Sequence, residues 1–219
     1  MARDLLAQDS VQATLDRIVA HAVQLVDGCD DAGVLVVEGG RKVHTLAAYG
    51  DLVLASDQLQ EQVGQGPCFD ATRLKHDVYR IEDISRAADR WSRYAPRARE
   101  LGVGSVMGFW LYTEEDNLGA LNMYSTRPGA FTEESETVGW LLASHAAVAF
   151  SAARTHSQLH YAMEARHDIG SAMGIIMERY KASEDQAFAT LRKASQNHNV
   201  KLRDVARSVT ETGEIPGPR

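Results

Sequence analysis

The chain has 219 residues, a formal net charge of −7 and only two cysteines, Cys29 and Cys68. That length fits one large domain, or a medium domain followed by a small one. No apolar run approaches the roughly 18 residues that span a bilayer, and the charged N-terminus lacks an apolar leader segment. Neither CxxC nor zinc spacing is present, which argues against a disulfide scaffold or a structural metal. A cytoplasmic protein without cofactor, metal or membrane partner is therefore expected.

The charge is unevenly spread. Residues 1–153 hold 13 Lys/Arg against 22 Asp/Glu, a net of −9, while 154–219 hold 10 against 8, a net of +2. Within 192–207 five basic residues (Arg192, Lys193, Lys201, Arg203, Arg207) face Asp204 alone. An acidic body with a basic end places any polyanion contact at the C-terminus, although such a run also describes an ordinary solvated helix face.

In chain order, residues 4–27 carry a helical period through Leu15, Ile18, Val19, Ala22, Val23 and Val26. "AGVLVV" and "KVHTLAAYG" read as two strands about a tight "EGG" turn. Residues 63–84 read as a glycine-rich loop, a short helix and the strand "DVYRI". Residues 86–102 are helical in period, with Pro96 interrupting. "VGSVMGFWLY" and "LGALNMYS" are strands joined by a polar "TEEDN" hairpin. The fold class is α+β with a mainly antiparallel sheet.

From Phe131 the texture is helical. Thr132 is a candidate N-cap with acidic residues in the first turn. A heptad-like series runs Val138, Leu141, His145, Val148, Ala152, Thr155, Leu159, Ala162, Arg166, Ile169, Met173, Ile176, Tyr180. It predicts a coiled-coil seam between two chains, although a helix docked on its own domain gives a similar pattern. "SEDQ" at 183–186 is a capping box. The helix it opens should bury Ala187, Phe188, Leu191, Ala194 and Ser195 until "QNHN" breaks it. Asn199 is a candidate N-cap for a last helix with the stripe Leu202, Val205, Ala206 and Val209, stopped by Gly213.

No Walker A loop, GxGxxG, HExxH or GxSxG is present. Cys68 in "QGPCFD" is a reactive thiol or a packing residue. His156 and His160 are a helical pair that could chelate metal or simply meet solvent. Nothing assembles a catalytic constellation. At the C-terminal end, Arg203 and Arg207 share a helix flank, Lys201 begins that helix beside Asn199 and Asn197, and Arg192 and Lys193 end the one before. Such a corner can grip phosphates and reach unstacked base edges, but it equally fits helix-turn-helix DNA readers.

The stretch "ARHDIGSAMGIIMERYKASEDQAFATLRKASQNHNVKLRDVA" (165–206) resembles the ANTAR domain, the RNA-binding module of bacterial antitermination regulators. The matching pieces "IG.A.GI.MER", "EDQAFATLRKASQN" and "N.KLRDVA" occur in order across three helices. Upstream, "LQEQVGQGPCFDA", "DRWSRYA", "LGVGSVMGFWL" and "LGALNMYSTRPGAF" resemble a GAF sensor domain of the kind fused to ANTAR in actinobacterial proteins. The implied organisation is a GAF domain over 1–152, a connecting and dimerising coiled-coil helix over 133–164 overlapping its end, an ANTAR domain over 160–212 and a flexible tail over 213–219. The resemblance implies a cytoplasmic homodimer that binds paired RNA stem-loops overlapping a terminator and lets transcription run on. It implies RNA contacts at Arg179, Arg192, Lys193, Gln196, Asn197, Asn199, Lys201, Arg203 and Arg207. Ser171 and Met173 stand where the family usually has glutamine and lysine, which removes one phosphate contact.

The NKFDE pattern of cyclic-nucleotide GAF domains is not visible, and two cysteines do not make the three-cysteine arrangement of GAF-type methionine sulfoxide reductases. A small ligand, a redox event or a partner protein is left as the GAF input. Gly170 and Gly174, four residues apart inside a helix, are expected to admit close packing by the second or third helix of the same unit, with RNA as the alternative partner. The competing readings are a DNA-binding factor built on the same helices, a redox enzyme or sensor acting through Cys68, and a protein-binding signalling adaptor.

Overall fold

The computed structural model describes residues 1–38, 42–74, 78–113 and 117–215. The chain divides into two compact units, Met1–Thr155 and His156–Arg219. Gly39 and Gly40 of the predicted "EGG" turn, Asp77 of the predicted strand "DVYRI", residues 114–116 of the hairpin connection and residues 216–219 of the expected tail lie outside the described residues.

The first unit opens with helices α1 (Ala2–Leu5) and α2 (Val11–Leu25). The single helical stretch expected over 4–27 is split at Ser10, whose hydroxyl accepts from the Ala13 amide and starts α2. Strands β1 (Asp31–Glu38) and β2 (Lys42–Ala48) pair antiparallel. Helix α3 (Asp51–Val63), which the periodicity did not reveal, follows directly. Its N-cap is Gly50, without a side chain, and Asp31 from β1 supplies the missing acceptor. One carboxylate oxygen takes the Gly50 amide at 2.7 Å and the other takes that of Val53 at 3.0 Å. These bonds satisfy orphan helix donors and explain why a carboxylate is buried there.

Helix α4 (Pro67–Leu74) and strand β3 (Val78–Ile81) follow, then a 3₁₀ turn at Ile84–Arg86 and helix α5 (Tyr94–Glu100). The helix expected from residue 86 begins only at Tyr94. Pro96 therefore sits in its first turn, where no amide is needed, and does not interrupt it. Strands β4 (Ser105–Tyr112) and β5 (Asn117–Ser125) complete a five-stranded antiparallel sheet in the order β2-β1-β5-β4-β3.

Alternation along the strands sends residues to two faces. Val34, Met107, Phe109, Leu121 and Met123 pack with α2 and the start of helix α6 (Glu133–Tyr180). Val106 and Tyr124 face Val53 of α3, Trp91 of the segment before α5, and Tyr94 and Ala98 of α5. Thr132 caps α6 as expected, accepting from the Ser135 amide at 3.2 Å.

The second unit holds the end of α6, then α7 (Glu184–His198) and α8 (Leu202–Thr212). Its core is Ala172, Ile176, Ala187, Leu191, Ala194, Val205, Ala206 and Val209. Both halves of the Ser183–Gln186 capping box form. Three expectations change here: the burial of Phe188, the N-cap of α8 and the role of the last heptad positions. Phe188 is not buried but 40% exposed. "QNHN" ends α7 as expected: the helix runs through His198, and Asn199, the last residue of that stretch, takes the left-handed C-cap position at φ 52°. The N-cap of α8 is consequently Lys201, not Asn199. Ile169, Met173 and Ile176 pack into this unit's own core, so the last part of the heptad series serves the three-helix core.

Gly170 and Gly174 are corrected as well. Both lie on the exposed side of α6, and a β-carbon built at either would meet nothing within 4 Å. Neither α7 nor α8 approaches them, so they are not helix-packing residues of this unit.

Candidate nucleic-acid interface and sensor core

In the second unit the end of α7 and the start of α8 form one corner. Asn199 in the left-handed conformation turns the chain, its amide donating to the Gln196 carbonyl. The Ser195 hydroxyl closes the turn by donating to the Val200 carbonyl at 2.6 Å. Around this turn Arg192, Lys193, Gln196, Asn197, Asn199 and Lys201 are all exposed. Among the described residues no ion pair engages Arg192, Lys193 or Lys201. The amide-rich start of α8 adds partial positive charge beside Lys201, offset by Asp204 in its first turn. The corner thus presents uncompensated cations with amide side chains between them, a surface suited to phosphate and base-edge contacts.

The other three arginines are occupied differently. Arg207 pairs with Asp168 of α6 at 3.1 Å. Arg179 reaches the Gly213 carbonyl at the end of α8 and lies 3.9 Å from Glu214. Arg203 stacks on the ring of Tyr161, its guanidinium carbon 3.9 Å from the centroid, and also meets Asp204 at 3.5 Å. Its side chain is only 19% exposed. These contacts fasten α8 along α6, with the start of α8 near Tyr161 and its end near Arg179. Tyr161 is absent from the residues singled out in the sequence. Only its i, i+7 relation to Asp168 on one helix face hinted that it could meet α8.

In the first unit a buried polar network joins the sheet to the α3, α4 and α5 layer. Asp57 on α3 accepts from the Thr45 hydroxyl at 2.7 Å and from that of Tyr124 at 3.3 Å. Ser56 lies 2.7 Å from the Tyr94 hydroxyl, and Gln60 accepts from the Cys68 amide at 2.9 Å. Tyr79 donates to Asn122, whose amide donates to the Cys68 sulfur at 3.0 Å. Burial pushes the Asp57 carboxyl up to about 7, against the opposing pull of its hydrogen bonds to Thr45 and Tyr124. Burial likewise raises the Cys68 thiol well above its ordinary range and the Cys29 thiol to about 12. Neither sulfur is poised as a nucleophile. The His156 and His160 rings lie with centroids 5.4 Å apart and planes tilted by 52°, and no cluster of three metal-ligating side chains occurs among the described residues.

An ANTAR domain model matches residues 157–209, and a GAF domain model matches residues 8–151, well over half of the chain. The chain is a GAF–ANTAR protein. Solved structures share the fold of its GAF domain. A GAF domain of a phosphoenolpyruvate-protein phosphotransferase from Coxiella burnetii is 17% identical, with a TM-score of 0.53 over 71% of this chain and 91% of that one. The corresponding domain from Acinetobacter is 16% identical, with a TM-score of 0.52 over 70% and 90%. A type II free methionine-R-sulfoxide reductase from Thermoplasma acidophilum is 18% identical, with a TM-score of 0.50 over 64% and 92%. No curated protein sequence matches the chain.

The GAF–ANTAR organisation is that of a signal-controlled regulator, with the sensor domain first and the output domain after it. No helix among the described residues is long and apolar enough to cross a membrane.

Proposed function

We propose that this GAF–ANTAR protein is a cytoplasmic, non-enzymatic regulator that binds paired RNA stem-loops and promotes transcription antitermination under control of its GAF domain. The observation that carries the reading is the α7–α8 corner. Arg192, Lys193 and Lys201 are exposed, and without an ion pair among the described residues, around an asparagine turn, within the region matched by the ANTAR model. Cations held free of internal ion pairs release condensed counterions when they meet phosphates. Arg179, Arg203 and Arg207 act in this reading chiefly as fasteners of α8, with a smaller direct share in binding.

A second copy of the chain is the partner proposed for the α6 segment within 133–164. Every residue from Thr155 to Glu164 is exposed, including Leu159 at 61% and Met163 at 64%. A helical stretch with no packed face is marginal alone in water, and pairing along the seam positions Leu159 and Ala162 supplies the missing burial. Input at the GAF domain, from a small ligand or partner protein, is proposed to alter that pairing through α6, an uninterrupted helix of 48 residues.

The test is binding of the full chain to a two-stem-loop RNA and to duplex DNA across a salt series. RNA-selective binding that weakens steeply with salt supports the reading. Preference for duplex DNA overturns it in favour of a helix-turn-helix factor, and a shallow salt slope points to a protein-binding adaptor.

A further inference from the structure

The Tyr161 ring is 44% exposed while the Arg203 guanidinium covers it at 3.9 Å. The residues on either side of Tyr161 along α6, from Thr155 to Glu164, are exposed as well. The Tyr161 hydroxyl makes no hydrogen bond to any described residue. The Arg203 Nε is buried without an acceptor among the described residues, and the guanidinium shares its contacts between the ring and a single 3.5 Å approach to Asp204. A flat aromatic held on one face by a cation, with its edge hydroxyl unspent, is a side chain fixed in place at the surface.

Its position sharpens the argument. Arg203 lies one residue inside α8, whose N-cap is Lys201. The Arg207–Asp168 pair is one turn further along α8. Tyr161 therefore sits at the same end of α8 as the cationic turn.

We propose that Tyr161 is a stacking platform for an unpaired base of the bound RNA, with Arg203 as its positioning residue. The inference rests on the RNA-binding reading above. Unstacked loop bases seek aromatic faces, and such stacking is tolerant of base identity. The ring thereby selects a looped strand over a duplex, in which no base face is open. The free hydroxyl at the ring edge can add a hydrogen bond to the stacked base or its ribose.

The experiment uses the full chain and a two-stem-loop RNA carrying 2-aminopurine at successive loop positions. The parent, Tyr161→Phe, Tyr161→Leu and Lys201→Ala are compared. Quenching of 2-aminopurine at one loop position is expected for the parent and for Tyr161→Phe, with affinities within about threefold of each other. Tyr161→Leu is expected to bind roughly 5- to 150-fold more weakly and to lose that quenching. Tyr161→Leu binding like the parent, while Lys201→Ala weakens binding, overturns the platform and leaves the RNA reading standing. Weaker binding by Tyr161→Leu with unchanged quenching makes Tyr161 a bracing residue only and also overturns it. A parent that binds no RNA overturns both.

Discussion

Arg207 and Asp168 are joined at 3.1 Å across α8 and α6, so the last cation of the basic run is spent inside the ANTAR domain. Lys201, six residues earlier, has no such partner among the described residues. Equal charge in the sequence thus becomes unequal availability in the structure.

That inequality gives a measurable contrast. Lys201→Ala should weaken RNA binding and lower the slope of log affinity against log salt by about 1, since one phosphate contact is lost. Arg207→Ala should leave the slope nearly unchanged and cost less than about 1 kcal/mol of stability, as expected for a partly exposed pair. Filter binding across a salt series, with urea unfolding of both variants, separates the two. An equal slope change in both would show that Arg207 also meets phosphate.

Gly170→Ala and Gly174→Ala should each stabilise the C-terminal helices. A β-carbon meets nothing at either site, and alanine is favoured over glycine in an exposed helix by about 1 kcal/mol. The expected result is a higher thermal midpoint by circular dichroism with RNA affinity unaltered. A loss of stability would show that a second chain approaches this face.

The Asp57 carboxyl makes the GAF domain sensitive to pH. Unfolded, the group titrates near 3.8; folded, near 7. Between those values the native state holds a proton that the unfolded chain has released, so stability falls as pH rises from about 4 to about 7 and then levels off. The size is at most about 4 kcal/mol for a shift of this extent. Asp57→Asn should remove this component, gaining on the parent progressively over that range and holding its lead above it. Tryptophan fluorescence reports on the right domain, because Trp91, Trp110 and Trp140 all lie before residue 155. A constant difference between parent and variant at all pH values would contradict the assignment.

Both thiols should resist alkylation in the native protein at neutral pH. Cys29 and Cys68 are buried and their ionisation is suppressed by that burial. Mass spectrometry after iodoacetamide treatment should find modification only once denaturant is added. Rapid native labelling of Cys68 would revive the redox reading.

Much of the fold was legible from local signals. Alternating apolar residues gave β1, β2, β4 and β5, and the Ser183–Gln186 box fixed the start of α7, because both signals are complete within a few residues. Helix α3 was not legible: its acceptor is Asp31, nineteen residues before Gly50, and no window contains both. Pro96 was misread for the same reason, since whether a proline breaks or begins a helix depends on where the tertiary core lets the helix start.

The sequence by itself determined the two-part organisation and the concentration of positive charge over 192–207, because composition and hydrophobic period are properties of the chain. Only the tertiary structure decided which of those cations are free. Arg207 found Asp168, Arg203 found Tyr161 and Arg179 found the Gly213 carbonyl, partners 34 or more residues away. It also left Gly170 and Gly174 facing open space, where sequence reasoning had placed a packed helix. The physical reason is common to all these cases. Spacing along a helix fixes which side chains share a face, and only packing decides what that face meets.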